Sequence, residues 1–413
     1  MRETTHSVTA DIHDPVAAGL MAELATPAGQ TDPYPVYARL RAHGDPLTGP
    51  DDSLIVTGYR HCSALLREPR LRKNPGRLLV ASGFEDWEDR PALRLMFKSM
   101  LMANPPEHTR LRGAVSRVFT ARRVAELRPA VERIADRLLA DLSGEVEFIE
   151  TVAFPYPVTV IGELLGVPEG DRPRFRELVD QWTAVLDLPT PAVVDHADVA
   201  AAAIIDYFGR LAAERRARPR DDLMSALVSA GNGEGPTLSD EEAVSTAALI
   251  LAAGFETTTA LLANGLVALL DHPAQADRLR REPELAKPAV DELLRYDSPV
   301  QVTYGRTAVE DITVGDLRLH AGQRVIALLG AANRDPSVFR APDELILDRD
   351  EGIPLSFGAG IHHCLGAALA RLEGQVMIPR LLRRFPRLAL AGEPVRRDGI
   401  TIHGYRSMPV TVA

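Results

Sequence analysis

The feature that most limits how this chain can fold is one apolar segment that begins near Ser239 and runs to Asp271-His272-Pro273. Ser239 and Glu242 stand at the spacing at which a serine hydroxyl and a glutamate carboxylate cap the first turn of a helix reciprocally, and Pro273 marks the far end. About thirty residues lie between, roughly 45 Å of helix at 1.5 Å per residue. Such a rod must cross most of the molecule and organise what packs around it. Its most continuous apolar run, Ala247 to Phe255, falls far short of the roughly 20 residues of a membrane span. No apolar run resembling a signal peptide stands at the N-terminus, so the expected location is the cytoplasm, with no membrane attachment.

The rest of the chain reads as mainly α with small β-sheets. Residues 1–32 are expected to form a loosely ordered arm, and residues 33–413 a single domain. Apolar residues recur at three- and four-residue spacing from Pro105 to Leu142 (Val115, Val118, Phe119, Val124, Leu127), which predicts helix. The Gly-rich stretch Gly231 to Thr237 predicts a loop, while Ser53 to Gly58, Ile312 to Leu329 and Val395 to Val412 read as strands and hairpins.

A net charge of -10 argues against a nucleic-acid binder, which carries a basic excess to neutralise phosphates. Only Lys73, Lys98 and Lys287 are lysines, so nearly all positive charge is arginine and an arginine at any chosen spacing says little. The chain has two cysteines, Cys62 and Cys364, which excludes a disulfide framework and any Cys-rich metal cluster.

The sharpest local signal is Phe357-Gly358-Ala359-Gly360-Ile361-His362-His363-Cys364-Leu365-Gly366. Its glycines permit a tight turn and close backbone approach, and an apolar run from Leu365 begins a helix. A thiolate at a helix N-terminus is stabilised by free backbone N–H groups and by the helix dipole. A lone cysteine on such a turn is more often a buried structural residue. A zinc site on His362, His363 and Cys364 fails, because three adjacent residues cannot wrap one tetrahedral ion.

These residues meet every fixed position of the cytochrome P450 haem-binding signature, Phe-Gly-x-Gly-x-His-x-Cys-x-Gly, and the chain is similar to that family over nearly its whole length after Pro33. The resemblance implies the P450 fold, with haem b (iron protoporphyrin IX) buried between the long central helix and the Cys-loop helix, and Cys364 as axial ligand of the iron. Cysteine ligation that favours O–O cleavage is a property of the whole family. Ala253-Gly254-Phe255-Glu256-Thr257-Thr258 resembles the family's oxygen-activating segment. That implies Thr257 as hydrogen-bond partner of dioxygen and Glu256 as member of a proton relay, with Ala253 and Gly254 against the cofactor. By the residues alone, a carboxylate and hydroxyls within an apolar helix require partners, and threonines bonded to preceding carbonyls are one way to supply them.

Glu292 and Arg295 share a helix face and resemble the family's Glu-x-x-Arg pair, which Arg349 is expected to complete as a structural network. Glu344 occupies a position where several relatives carry Arg. For the haem propionates the resemblance supplies His108, Arg112, Arg306 and His362, with Phe357, Gly358 and Gly366 shaping the cofactor pocket. Asn104 stands where relatives more often carry Asp.

The resemblance further implies a monooxygenase that inserts one oxygen atom of O2 into a bulky, apolar small molecule by hydroxylation or epoxidation. A polyketide- or macrolide-like secondary metabolite is expected, with terpenoids and steroids left open. Electrons are expected from NAD(P)H through a ferredoxin reductase and a ferredoxin, docking on Arg110, Arg117, Arg122, Arg123 and Arg371. The protein is expected to be a monomer. Substrate-pocket candidates are Phe84 to Met102, led by Phe84, then Gln181 to Leu188, Val300 to Thr303, and Ile402. Alternative readings are a P450 catalysing coupling or desaturation, and a haem-thiolate sensor without turnover.

Overall fold

The structure is a computed structural model that describes residues 14–49, 52–117, 119–187, 189–229 and 238–412. The glycine-rich loop expected at 231–237 and the expected helical position Val118 lie outside these residues.

The long helix spans Asp240–Asp271, and its N-terminus is closed by the expected reciprocal cap: Glu242 N–H donates to Ser239 Oγ (3.2 Å) and Ser239 N–H to Glu242 Oε2 (2.8 Å). Most side chains from Ala243 to Leu269 are buried, which a helix apolar on every face requires. One window of this helix is apolar enough by composition to cross a membrane, yet 78% of that window is buried inside the fold. Around it pack the helices Pro155–Leu165, Pro191–Ala217, Ala286–Tyr296 and Ala367–Arg384. At Gly254 a Cβ would sit 2.7 Å from Ile161 Cγ1, so this glycine is required by the close crossing of two helices.

A five-stranded sheet lies beside the helical body, in the order Leu47–Thr48, Leu54–Val56, Arg324–Leu328, Val302–Ala308, Leu71–Lys73. The parallel pairing of Leu54–Val56 with Arg324–Leu328 and the antiparallel pairing of Leu71–Lys73 with Val302–Ala308 bring Lys73 directly opposite Arg306. A hairpin joins Ile312–Val314 to Leu317–Leu319, and the C-terminal strand Pro409–Val412 pairs with Gly144–Glu147 and Ala389–Leu390. The architecture is mainly α with small sheets, as expected.

The expected loose arm is corrected over its described residues. Pro15–Leu24 and Pro27–Thr31 are helices, each with proline in its first turn, capped by Asp14 Oδ1 and Thr26 Oγ1. Ala17, Leu20 and Leu24 bury in a cluster with Val36, Tyr37 and Leu40 of the helix Tyr34–His43. Apolar burial outweighs the modest helix propensity of these short segments.

Candidate active site

The Cys364 turn is built as its glycines require. Gly358 and Gly360 have φ of 65° and 72°, and a Cβ at Gly360 would lie 2.4 Å from Leu66 O. The Cys364 N–H donates to Phe357 O (2.9 Å), which closes the turn just before the helix Ala367–Arg384. Burial pushes the Cys364 thiol up, while the Gly366 N–H and the positive charges of Arg112 and Arg371 pull it back toward thiolate. Arg371 lies over the Phe357 ring at 4.4 Å and is held there by Asp291 (2.7 Å).

Cys364 lines a cavity of about 380 Å³. The long helix contributes Ala253, Gly254, Glu256 and Thr257 to its wall, and the Cys turn contributes Phe357, Gly358, His362 and Gly366. Val300 and Ile402, joined by a β-bridge, line it as expected, together with Met96, Met100, Leu101 and Leu186. Phe84 does not. It follows Gly83 (φ 88°), donates its N–H to Leu79 O (2.9 Å), and is buried in the same apolar cluster as Leu79. Its N–H thereby closes the C-terminal end of the helix Pro75–Ala81.

Thr257 Oγ1 donates to Ala253 O (3.1 Å), and Thr258 Oγ1 to Gly254 O (3.3 Å). A hydroxyl has one proton, so Thr257 presents its oxygen as an acceptor while that bond lasts. Glu256 is buried and paired with Arg397 Nη1 (2.8 Å), and it accepts from Thr183 Oγ1 (3.1 Å). Burial raises its carboxyl above the ordinary range, and Arg397 opposes that shift.

One edge of the cavity gathers basic groups. His108, Arg112, Arg306 and His362 all line it, the two imidazole rings lying 4.4 Å apart. Among the described residues none of these four pairs with a carboxylate, and His108 Nε2 and Arg306 Nε are buried with no hydrogen-bond partner. Burial depresses Arg306 to about 10 and, with Lys73 adding repulsion, His362 to about 3. Opposed cations on neighbouring strands are destabilising unless an anion lies between them. A haem brings two carboxylates and one iron, and these residues fit it: the basic edge would hold the propionates, and Cys364 the iron.

Glu292, Arg295 and Arg349 come together as expected. Arg295 donates to both Glu292 oxygens (2.6 and 2.9 Å), and Arg349 Nε donates to both (3.2 and 3.1 Å). Glu344 enters through its backbone: its carbonyl accepts from Arg295 Nη2 (3.0 Å) and Arg349 Nη2 (3.1 Å), which makes its side chain irrelevant to the network. Asn104 accepts from the Lys73 N–H (2.9 Å) and donates to the Lys73 carbonyl (2.8 Å), a reciprocal pair that an aspartate cannot make.

The expected basic docking face is largely neutralised. Arg110 pairs with Glu242, Arg122 with Glu126, Arg123 with Asp221 and Arg371 with Asp291.

Lys73, Arg397 and Glu373 were not anticipated at the site, and Thr183 falls within the expected pocket segment 181–188 with a role that was not anticipated. Lys73 lines the basic edge, where burial and then Arg306 lower it to about 7. Arg397 and Thr183 hold Glu256. Glu373 lines the cavity with neither carboxyl oxygen hydrogen-bonded among the described residues, and burial raises it well above the carboxylate range. Lys73 carried a signal only in its scarcity, as one of three lysines in the chain.

The family model described as cytochrome P450 matches residues 83–397. Vitamin D(3) 25-hydroxylase of Pseudonocardia autotrophica is 42% identical over 92% of this chain and 94% of its own length. Cytochrome P450 monooxygenase PikC of Streptomyces venezuelae is 40% identical over 92% of this chain and 91% of its own. The solved structure of the bacillaene polyketide synthase cytochrome P450 PksS of Bacillus subtilis 168 superposes with a TM-score of 0.83, at 33% identity, over 94% of this chain and 99% of its own.

Proposed function

The chain belongs to the cytochrome P450 family and is a haem-thiolate monooxygenase, and from that premise we propose that it oxidises a bulky, weakly polar small molecule of polyketide or steroid-like skeleton, by hydroxylation or epoxidation. When bound, the haem supplies the activation of dioxygen. The protein supplies position, protons and exclusion of water.

The observation that carries the reading is the composition of one cavity. Cys364 and the pair Glu256 and Thr257 line the same space, whose other walls include Met96, Met100, Leu101, Leu186, Val300 and Ile402. Apolar, adaptable side chains suit a large ligand of low polarity, and leave few polar groups to compete with the reacting centre. The names of the vitamin D(3) hydroxylase and of the polyketide synthase P450 agree with that size and polarity.

In this reading Cys364 binds the iron, and His108, Arg112, Arg306 and His362 orient the propionates. Thr257 holds a hydrogen bond at the oxygen-binding position, and Glu256 moves protons toward it from the buried side. Glu292, Arg295 and Arg349 keep the fold. Electrons arrive from NAD(P)H through a ferredoxin reductase and a ferredoxin. The Cys364 turn supports a short route for them, since it reaches the surface at Ile361, which is 43% exposed.

The experiment is a spectral screen of polyketide, macrolide and steroid candidates against ferric protein, followed by turnover with a reconstituted ferredoxin chain. A ligand that displaces water from the iron and yields a product heavier by one oxygen atom supports the reading. Failure of every large apolar ligand beside binding of small polar ones contradicts it.

A further inference from the structure

Arg397 belongs to none of the segments that announced the site, yet it joins three of its parts. Its N–H donates to Gly404 O (3.1 Å), fixing the base of the loop that carries it. Its guanidinium then divides: Nη1 contacts Glu256 Oε1 (2.8 Å), and Nη2 contacts Asp180 Oδ1 (3.0 Å). Asp180 and Thr183 lie on the helix Phe175–Thr183, and the Thr183 hydroxyl shares its one proton between Val179 O (2.9 Å) and Glu256 Oε1 (3.1 Å). Among the described residues, the partners of this long-helix carboxylate come from two other segments.

Those two segments are also tied to each other. The Ile400 and Thr401 N–H groups donate to Asp187 Oδ1 (3.2 and 2.8 Å). Gly399, at φ 106°, comes so close that a Cβ would lie 2.3 Å from Asp187 Oδ2. Residues 180–187 and 397–402 thus meet at Asp180 and again at Asp187. Both supply cavity wall: Trp182, Thr183 and Leu186 from the first, Thr401 and Ile402 from the second.

We propose that Arg397 is a positioning residue that clamps Glu256 to this two-segment wall, so that the acid of the long helix and the closure of the cavity are coupled through one guanidinium. The Glu256 side chain is only 5% exposed, and a carboxylate in such a place needs a cation. Arg397 is the cation paired with it among the described residues, and the charges that face it are Arg397 and, more distantly, Asp180. The consequence for proton delivery rests on the relay reading of Glu256. The clamp itself rests on geometry alone.

The test uses the haem-loaded protein and its Arg397→Met, Asp180→Asn and Glu256→Gln variants. Infrared difference spectra at neutral pH report carboxyl protonation, with the Glu256 band assigned by its loss in the double variant Arg397→Met with Glu256→Gln. Stopped-flow absorbance reports association of a bulky azole and of imidazole with the iron. Arg397→Met should show a protonated Glu256 band absent from the parent. Both Arg397→Met and Asp180→Asn should admit the bulky azole roughly three- to fivefold faster, the effect of losing about one partly exposed ion pair, with imidazole unchanged. Asp180 is 67% exposed, so that variant keeps the test valid where Arg397→Met folds poorly. An Arg397→Met protein with the parent's infrared spectrum, or an Asp180→Asn protein with the parent's azole kinetics, overturns the proposal. If both change as stated while Glu256→Gln leaves the yield of product per electron pair unaltered, the clamp stands and the relay reading falls.

Discussion

Arg112 Nη2 donates to the carbonyl of His363 at 2.6 Å, and His363 is the residue immediately before Cys364. The helix Glu107–Ser116 is thereby fastened to the ligand turn by the same side chain that faces the propionate edge. In the proposed reading one arginine serves cofactor and ligand together.

Arg112→Leu should therefore weaken both. A hydrogen bond from a charged group contributes about 1.5–3 kcal/mol, so haem should transfer to an acceptor globin roughly ten- to a hundredfold faster. The rate of haem transfer measured by absorbance checks this. A rate equal to the parent's would remove Arg112 from the set of anchoring residues.

Arg349→Ala should destabilise the fold by about 1.5–3 kcal/mol, because it strips one of two cations from Glu292, whose side chain is 2% exposed, and leaves Arg295 as the other. Glu344→Ala should change stability by less than about 0.5 kcal/mol, since only the Glu344 backbone is used. Urea unfolding of the two variants gives the comparison.

Thr257→Ala should divert electrons to peroxide, lowering product per electron pair by at least about tenfold, since a positioned proton-transfer group contributes roughly a hundredfold or more to a rate. Thr257→Ser should retain most of the coupling because it keeps the hydroxyl. Peroxide and product yields against NAD(P)H consumed decide it.

Glu373 gives a pH signature. Burial raises its carboxyl in the folded state above its unfolded value, so the folded protein holds a proton that the unfolded chain releases. Its contribution is fully present below the ordinary glutamate range and is lost as pH rises from there through the raised value. Glu373→Gln, which cannot ionise, should match the parent near pH 4 and become the more stable of the two as pH rises toward 8, by at least about 1 kcal/mol. Urea midpoints across that range check the sign, and a gap that narrows with rising pH would contradict it.

What the sequence made legible was local. The Cys364 turn, the Ser239 cap and the Glu292/Arg295 pair are set by spacings of a few residues, and each is present where the pattern placed it. Long-range groups were not legible. Lys73 meets Arg306 only through strand register, and Arg397 meets Glu256 only after the C-terminal loop folds back over the long helix. Phe84 misled because an aromatic residue beside a glycine reads equally as pocket lining or as a helix cap. The helices at Pro15–Leu24 and Pro27–Thr31 were announced only by Asp14 and Thr26 before proline, a weak signal without the cluster that buries them.

The central claim is that the sulfur of Cys364 binds haem iron at the end of a glycine-built turn. The carbon monoxide difference spectrum of the reduced protein tests it most directly. The strongly red-shifted band peculiar to thiolate ligation is expected, and it should vanish in Cys364→Ala. A band at the position typical of imidazole ligation in the parent, or an unaltered spectrum in Cys364→Ala, would contradict the account.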